Sequence, residues 1–161
     1  EMREAVGGGR RDKRHGAHPV IDLGGFKTMN DRFGHTAGDV AVHQIALAIR
    51  SYLRKSDLMA RLGGDEFAVL LPPAPQPHKS EIVAAKIVQS VSVYASATPH
   101  MERISASVGI AKFSDDCDDG DELLSDADTA MYAAKLLGGG AFVNFDGADS
   151  HGPLASTWPK L

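Results

Sequence analysis

The sequence predicts an α/β domain with a central mixed, mostly antiparallel sheet flanked by helices. Short apolar runs bounded by glycine, proline or acidic residues alternate with longer segments whose apolar residues recur at helical spacing. Two of these runs, LMARL and FAVLL, are joined only by GGDE at residues 63–66, which indicates an antiparallel hairpin. The predicted order is strand, helix, strand, strand, helix, strand, helix, strand.

The remaining strands are also predicted from short apolar runs. PVIDL, residues 19–23, is the first strand and carries Asp22 at its end, and GGFK follows as a turn. The Pro-rich run PPAPQP is predicted to end the hairpin. Residues 104–110 alternate between apolar and small side chains, a pattern typical of a strand with one buried face. AFVNF, residues 141–145, is the last strand.

Three helices are predicted from apolar residues that recur with a period of about 3.6. The first begins at Asp39, the second covers residues 79–96, and the third ends at the glycines 138–140. Their apolar faces carry Ala41, Ile45, Ala48, Ile49 and Tyr52 on the first, Val83, Ile87, Val91 and Tyr94 on the second, and Leu123, Ala127, Met131, Ala134 and Leu137 on the third.

Composition excludes several classes of function. The formal net charge of −4 over 161 residues creates no field that would attract nucleic acid or anionic lipid. The single cysteine, Cys117, cannot form an internal disulfide, so a reducing cytoplasm is the expected setting. No apolar stretch approaches the roughly 20 residues that span a membrane, and no signal peptide is visible.

We expect one folded domain over residues 19–146. Residues 1–18 are polar, Gly-rich and basic, and are interpreted as a flexible linker or a truncated N-terminal segment. Residues 147–161 form a C-terminal tail without a clear period.

Acidic residues stand where strands end. Asp22 ends the first strand, and Asp65 and Glu66 lie at the hairpin turn. If the first strand neighbours the hairpin, these carboxylates converge, and a divalent cation such as Mg²⁺ would relieve their repulsion. The alternative is that they are merely solvated, since acidic residues are common in turns.

The stretch DLGGFKTMNDRFGHTAGD, followed by RLGGDEF at residues 61–67, resembles the GGDEF family, the diguanylate cyclases. ISASVGIAKF and DADTAMYAAKLLG are similar to the family's late strand and last helix. The resemblance covers about residues 19–145. It implies the palm fold of class III nucleotidyl cyclases.

The resemblance also implies an activity. Two domains would meet as a homodimer, each holding one GTP, and each 3′-hydroxyl would attack the α-phosphate of the other GTP. The products would be cyclic di-GMP and two pyrophosphates. The implied cofactor is Mg²⁺ or Mn²⁺, the implied setting is the bacterial cytoplasm, and a sensory or effector domain would belong to the full-length protein.

By resemblance, the carboxylates of Asp22 and Asp65 and the carbonyl of Leu23 would bind metal. Asp65 would also accept the proton of the 3′-hydroxyl, and Glu66 would support the same charge cluster. Lys27 would contact phosphates as a point charge. Its alternative is a solvated surface lysine.

The implied substrate-binding residues are Asn30, His35, Asp39, Gly63, Gly64 and Lys135. Asn30 and Asp39 would recognise guanine, which presents two adjacent donors that adenine lacks. The alternative for Asp39 is a helix N-cap, and a loop histidine such as His35 is more often structural. Gly63 and Gly64 would let the backbone approach the phosphates, and a plain turn is their alternative.

Many family members bind inhibitory product at an RxxD set that precedes the GG pair. Arg54 and Asp57 match that set in type and in spacing. Arginine can bind guanine or phosphate with two parallel hydrogen bonds. The alternative is a local ion pair at a helix end, worth only about 0.5 kcal/mol.

Three departures from the family pattern stand beside these matches. Gly24 replaces a usual acid or amide, and Gly139 and Gly140 replace the usual Arg and Asn after the last helix. Residues 1–18 do not resemble the family's helix and LTGLxNR-like segment. These departures favour a second hypothesis, a degenerate domain that binds GTP or cyclic di-GMP as a regulatory module without turnover.

Overall fold

The computed structural model describes residues 15–74, 79–101, 103–114 and 120–145. Within these residues the elements follow the order β, α, α, β, β, α, β, α, β. They are β1 (His15–Gly24), α1 (Phe26–Phe33), α2 (His35–Ser51), β2 (Leu58–Gly63), β3 (Glu66–Ala74), α3 (Lys79–Ala97), β4 (Ser105–Ser114), α4 (Gly120–Leu136) and β5 (Ala141–Asn144).

The strands form one sheet in the order β2-β3-β1-β4-β5. The pairs β2/β3, β3/β1 and β1/β4 are antiparallel, and β4/β5 is parallel. The predicted mixed, mostly antiparallel sheet is therefore confirmed. Because β1 is central, Asp22 has a strand neighbour on each side, Glu66 of β3 and Ser107 of β4.

Helices cover both faces of the sheet, and alternate residues of β1 point to different helices. Ile21 and Leu23 belong to the larger core, which also contains apolar residues of α2 and α3. Val20 packs with Met131 of α4 in a smaller cluster. Each fully buried aliphatic side chain contributes about 1.5–3 kcal/mol to folding. Asp22 shares the strand parity of Val20 and therefore lies on the α4 side.

The helices α1 and α2 differ from the prediction. GGFK is not simply a turn, because α1 begins at Phe26 directly after Gly25, whose φ is +80°. The prediction that the next helix begins at Asp39 is also wrong, because α2 begins at His35. Gly34 separates the two helices with φ +85° and offers no side-chain cap. The first turn of α2 lacks both an apolar stripe and a capping residue, so the sequence pattern did not show it.

The strands β1 and β3 are longer than the apolar runs from which they were predicted. β1 begins at His15 because the residues before Pro19 pair along β4. β3 continues through Pro72 and Pro73, where its register with β2 has ended at Leu70. Proline is tolerated there because no ladder is interrupted on that side. Residues 15–18, predicted to be linker, thus belong to β1. The predicted linker residues 1–14, residues 115–119 and the tail 147–161 lie outside the described residues.

The hairpin, α3 and the end of α4 at the glycines agree with the prediction, whereas Leu137 and Tyr52, predicted on apolar helix faces, lie just beyond α4 and α2 and are exposed. Gly138, Gly139 and Gly140 all adopt positive φ and end α4, as expected from the glycine run. None of the helices in the described ranges is both long and apolar enough to cross a membrane.

Candidate active site

The predicted acidic residues lie at one end of the sheet. Asp22, near the end of β1, is the register partner of Glu66 at the start of β3. Asp65 lies in the turn before β3, and its carbonyl accepts a hydrogen bond from the Leu23 N–H at 3.2 Å. Asp65 and Glu66 are half-buried. The hairpin fold thus places the predicted metal carboxylates on adjacent chain segments.

Asp22 forms an ion pair across the α4 side of the sheet. The Nζ atom of Lys135 lies 2.9 Å from its Oδ2 atom. The Asp22 side chain is 12% exposed, whereas that of Lys135 is 37% exposed. Lys135 comes from the last turn of α4. The lysine predicted to bind substrate therefore contacts a predicted metal ligand.

The hairpin turn is braced by an arginine that the sequence argument did not single out. Nε and Nη2 of Arg61 donate hydrogen bonds to the Gly64 carbonyl at 2.9 and 2.6 Å. Gly64 has φ +51°, which favours glycine. A Cβ built on Gly63 or Gly64 would meet no heavy atom within 4 Å among the described residues. The turn backbone is thus open to an approaching ligand, as the phosphate prediction requires.

The predicted base-recognition residues lie on α1 and α2. The Oδ1 atom of Asn30 is buried and has no hydrogen-bond partner within the described part of the chain. Asp39 is exposed and lines a groove of about 690 Å³ between α2 and β2, together with His43 and Arg61. Since α2 begins at His35, the alternative that Asp39 is the helix N-cap is wrong.

Three further residues of the stretch DLGGFKTMNDRFGHTAGD are Phe26, Lys27 and His35. Phe26 is buried in the core. Lys27 lies exposed in the first turn of α1, and His35 is exposed at the start of α2. The roles of Lys27 and His35 at phosphate or base stay predictions.

Asp57 is held in a network of donors. Its Oδ2 atom accepts from the Arg54 backbone N–H, and its Oδ1 atom lies 2.9 Å from Nζ of Lys79. Arg50 donates to its carbonyl at 2.9 Å. Burial opposes the charge of this carboxylate, but the Arg54 N–H and the Lys79 ammonium together hold its pKa below the usual value. The observed ion pair is with Lys79 of α3, a residue that the sequence argument did not single out.

Gly24 and Gly139, two departures from the family pattern, lie beside the same serine, Ser105. A Cβ built on Gly24 would lie 3.0 Å from the Ser105 hydroxyl oxygen, and one on Gly139 would lie 2.8 Å from the same atom. Gly24 and Ser105 are register partners in β1 and β4. Side chains at both positions would compete for the space around one hydroxyl, so the two departures concern one corner of the site.

The oxygen atoms of this site suit a metal ion whose remaining ligands come from the substrate. Across the ranges the structure describes, no group of three or more His, Cys, Asp or Glu side chains is arranged to hold a metal ion. Mg²⁺ usually binds through one or two carboxylates together with substrate phosphates. Asp22, Asp65 and the Leu23 carbonyl supply such oxygen atoms, and Asp22 already attracts the cationic Lys135. These residues therefore fit Mg²⁺ or Mn²⁺ bound together with a nucleotide.

Comparisons with known sequences identify the family. The sequence model of the family described as "Diguanylate cyclase, GGDEF domain" matches residues 2–141. MucR of Pseudomonas aeruginosa, a bifunctional diguanylate cyclase/cyclic di-GMP phosphodiesterase, is 41% identical over 90% of this chain. The diguanylate cyclase TpbB of the same species is 45% identical over 71% of this chain. The chain spans only 21% of MucR and 27% of TpbB.

Solved structures show the same fold. The GGDEF domain of TpbB (YfiN) from Pseudomonas aeruginosa has a TM-score of 0.73 and 40% identity, with 83% of each chain covered. The GGDEF domain of DgcB from Caulobacter crescentus, solved with c-di-GMP, has a TM-score of 0.74 and 26% identity over 83% of this chain and 80% of that one. The chain therefore belongs to the GGDEF domain family of diguanylate cyclases.

Proposed function

We propose that this domain condenses two GTP molecules into cyclic di-GMP and two pyrophosphates. The observation that carries the proposal is the placement of Asp22 opposite Glu66, with Asp65 in the adjoining turn. This cluster lies at the end of the sheet where the open glycine turn would admit phosphates. One such site holds one GTP, so a homodimer supplies the second half of the reaction.

In each half-reaction the 3′-oxygen of one GTP forms a bond to the α-phosphorus of the other. The bond from that phosphorus to the bridging oxygen breaks, and pyrophosphate leaves. The Asp65 carboxylate accepts the 3′-hydroxyl proton. Asp22, Asp65 and the Leu23 carbonyl would hold Mg²⁺ or Mn²⁺, which supplies charge neutralisation at the phosphates.

The remaining residues bind and orient the nucleotide. The buried, unpartnered Oδ1 of Asn30 and the exposed Asp39 carboxylate would accept from the guanine donors. Lys27 and Lys135 would neutralise phosphate charge. His35 would lie beside the nucleotide at the start of α2.

We also propose a product site at Arg54 and Asp57, with inhibition by bound cyclic di-GMP. Support comes from their spacing before the glycine turn. Because the Asp57 side chain is only 1% exposed and already accepts from the Arg54 N–H and Lys79, we expect product binding there to displace Lys79. Relatives several times longer than this chain support a further sensory or effector domain, and the bacterial cytoplasm is the proposed location.

The second candidate function is a degenerate domain that binds GTP or cyclic di-GMP without turnover. The sequence around Ser105 favours it, because the family's usual polar side chains are absent at Gly24 and Gly139, where a Cβ would press on the Ser105 hydroxyl. Loss of those groups would weaken nucleotide binding while the carboxylate cluster remained intact.

Incubation with GTP and Mg²⁺, with products separated by chromatography, tests both functions. We expect cyclic di-GMP from the unaltered chain and none from Asp65→Asn, because the proton acceptor is lost. Asp128→Asn, a change at an exposed carboxylate on α4, is the matched control and should keep activity. Tight GTP binding by calorimetry without any product would instead establish the binding module.

A further inference from the structure

The ion pair between Asp22 and Lys135 joins two residues with different proposed ligands. Asp22 is proposed to bind a divalent cation, and Lys135 is proposed to bind phosphate. Their side chains nevertheless contact each other at 2.9 Å. A carboxylate oxygen that accepts from an ammonium group at this distance does not offer the same lone pairs to a metal ion.

The two partners are not equally fixed. Asp22 is nearly buried on a central strand, between Glu66 and Ser107 in the register. Lys135 is 37% exposed and stands in the last turn of α4, two residues removed from the glycine run at 138–140. Its long side chain can therefore swing toward solvent or toward phosphates while the carboxylate stays in place.

Lys135 also balances charge at this corner. Glu66 is the register partner of Asp22, and Asp65 lies in the adjoining turn, so acidic residues occupy neighbouring backbone positions around Asp22. An ammonium group or a divalent ion can each neutralise the charge of the Asp22 carboxylate.

We propose that the Lys135 ammonium competes with the divalent cation for Asp22, so that metal binds well only together with a nucleotide. The nucleotide removes the competition because its phosphates give Lys135 another anionic partner. Lys135 would then oppose the binding of free metal and favour the binding of metal and nucleotide together. The inference rests on the proposed function, since it uses the proposed metal and phosphate ligands.

Substitution of Lys135 should change two affinities in opposite directions. We expect Lys135→Met to tighten the binding of Mn²⁺ alone about threefold to tenfold, because the competing charge is gone. The same variant should bind α,β-methylene GTP with Mn²⁺ more weakly, because a phosphate contact is lost. Electron paramagnetic resonance of free Mn²⁺ and calorimetry measure the two affinities.

Lys112→Met is the matched control, because Lys112 pairs with Glu81 away from this corner. It should change neither affinity. If Lys135→Met leaves the affinity for Mn²⁺ unchanged or weaker, or if Mn²⁺ alone binds neither the unaltered chain nor this variant, the competition does not exist.

A measurement on the unaltered chain covers the case in which Lys135→Met fails to fold. Reductive methylation followed by mass spectrometry reports how accessible each lysine is. Mn²⁺ alone should raise the methylation rate of Lys135 and leave the methylation rate of exposed Lys86 unchanged. An unaltered methylation rate of Lys135 under saturating Mn²⁺ would refute the proposed competition for Asp22.

Asp22→Asn separates this inference from the proposed function. If Asp22→Asn loses Mn²⁺ binding while Lys135→Met shows no gain in affinity for Mn²⁺, Asp22 is a metal ligand and only the competition is wrong. If Asp22→Asn binds Mn²⁺ as tightly as the unaltered chain, the proposed metal site falls, and the competition falls with it.

Discussion

The Nζ atom of Lys79 lies 2.9 Å from Oδ1 of Asp57, and the Asp57 side chain is only 1% exposed. The pair ties the start of α3 to the segment between α2 and β2. The carboxylate proposed to accept from bound cyclic di-GMP is thus already satisfied inside the fold. Product binding at this position would therefore compete with an internal contact.

Removal of the lysine should strengthen product binding. A hydrogen bond to a charged group is worth about 1.5–3 kcal/mol, so we expect Lys79→Met to bind cyclic di-GMP roughly ten- to a hundredfold more tightly. Calorimetry with cyclic di-GMP measures the change, and Lys86→Met, which alters an exposed lysine of the same helix, is the control. Equal affinities for Lys79→Met and the unaltered chain, or no effect of Arg54→Ala, would place any product site elsewhere.

The same pair predicts a pH-dependent contribution to stability. At pH 7 we expect Asp57→Asn to lower the free energy of unfolding by about 3 kcal/mol, because it leaves Lys79 without its charge partner. The pKa of Asp57 is lowered from 3.8 in the folded state, since hydrogen bonds from Arg54 and Lys79 outweigh burial.

As the pH falls below 3.8, the unfolded chain takes up the proton first, so the folded chain loses this stabilisation. The difference between Asp57→Asn and the unaltered chain should therefore shrink in acid. Urea unfolding at pH 7 and at pH 3 measures it. A difference that stays constant between these values would mean that the carboxylate charge is not responsible, and exposed Asp31→Asn should show no comparable change.

Gly38 should control how Asn30 meets the base. A Cβ built on Gly38 would lie 1.8 Å from Oδ1 of Asn30 and 3.1 Å from Cζ of Phe26. Gly38→Ala must therefore displace the Asn30 amide, and we expect about tenfold weaker binding of α,β-methylene GTP with less preference over the matching ATP analogue. Calorimetry with both analogues gives the affinities and their ratio.

A double-mutant cycle tests whether Gly38 acts through Asn30. In the Asn30→Ala background the Gly38→Ala change should cost little further affinity, because the displaced group is already absent. Gly120→Ala is the control, since a Cβ there meets nothing within 4 Å in the described ranges. Additive losses in the cycle would contradict the proposed coupling.

His18 predicts a second pH effect on stability. Burial lowers its pKa from 6.5, despite a hydrogen bond to the Val69 backbone and the charge of Asp128. The folded chain therefore disfavours the protonated form, and the free energy of unfolding should decrease as the pH falls from 7 to 5. Thermal or urea unfolding should show a smaller decrease for His18→Gln, whereas exposed His43→Gln should behave as the unaltered chain. An identical decrease in all three would exclude His18.

Sequence reasoning succeeded where the signal was local. The hairpin follows from two apolar runs around GGDE, α3 from its helical period, and the end of α4 from three glycines with positive φ. It failed at α1 and at the start of α2, where short polar segments are helical because Phe26 and Met29 bury against the core. Such burial depends on distant residues and leaves only a weak mark on the local pattern.

The sequence by itself determined the family and the identity of the acidic turn, because those depend on which residue types occur at which spacing. Only the tertiary structure decided what these residues contact. Lys135 contacts Asp22 because α4 packs on the face of β1 that carries Asp22. Lys79 contacts Asp57 because α3 begins beside the connection between α2 and β2. Contacts between distant chain segments are set by packing, and no spacing rule along the chain specifies which lysine reaches which carboxylate.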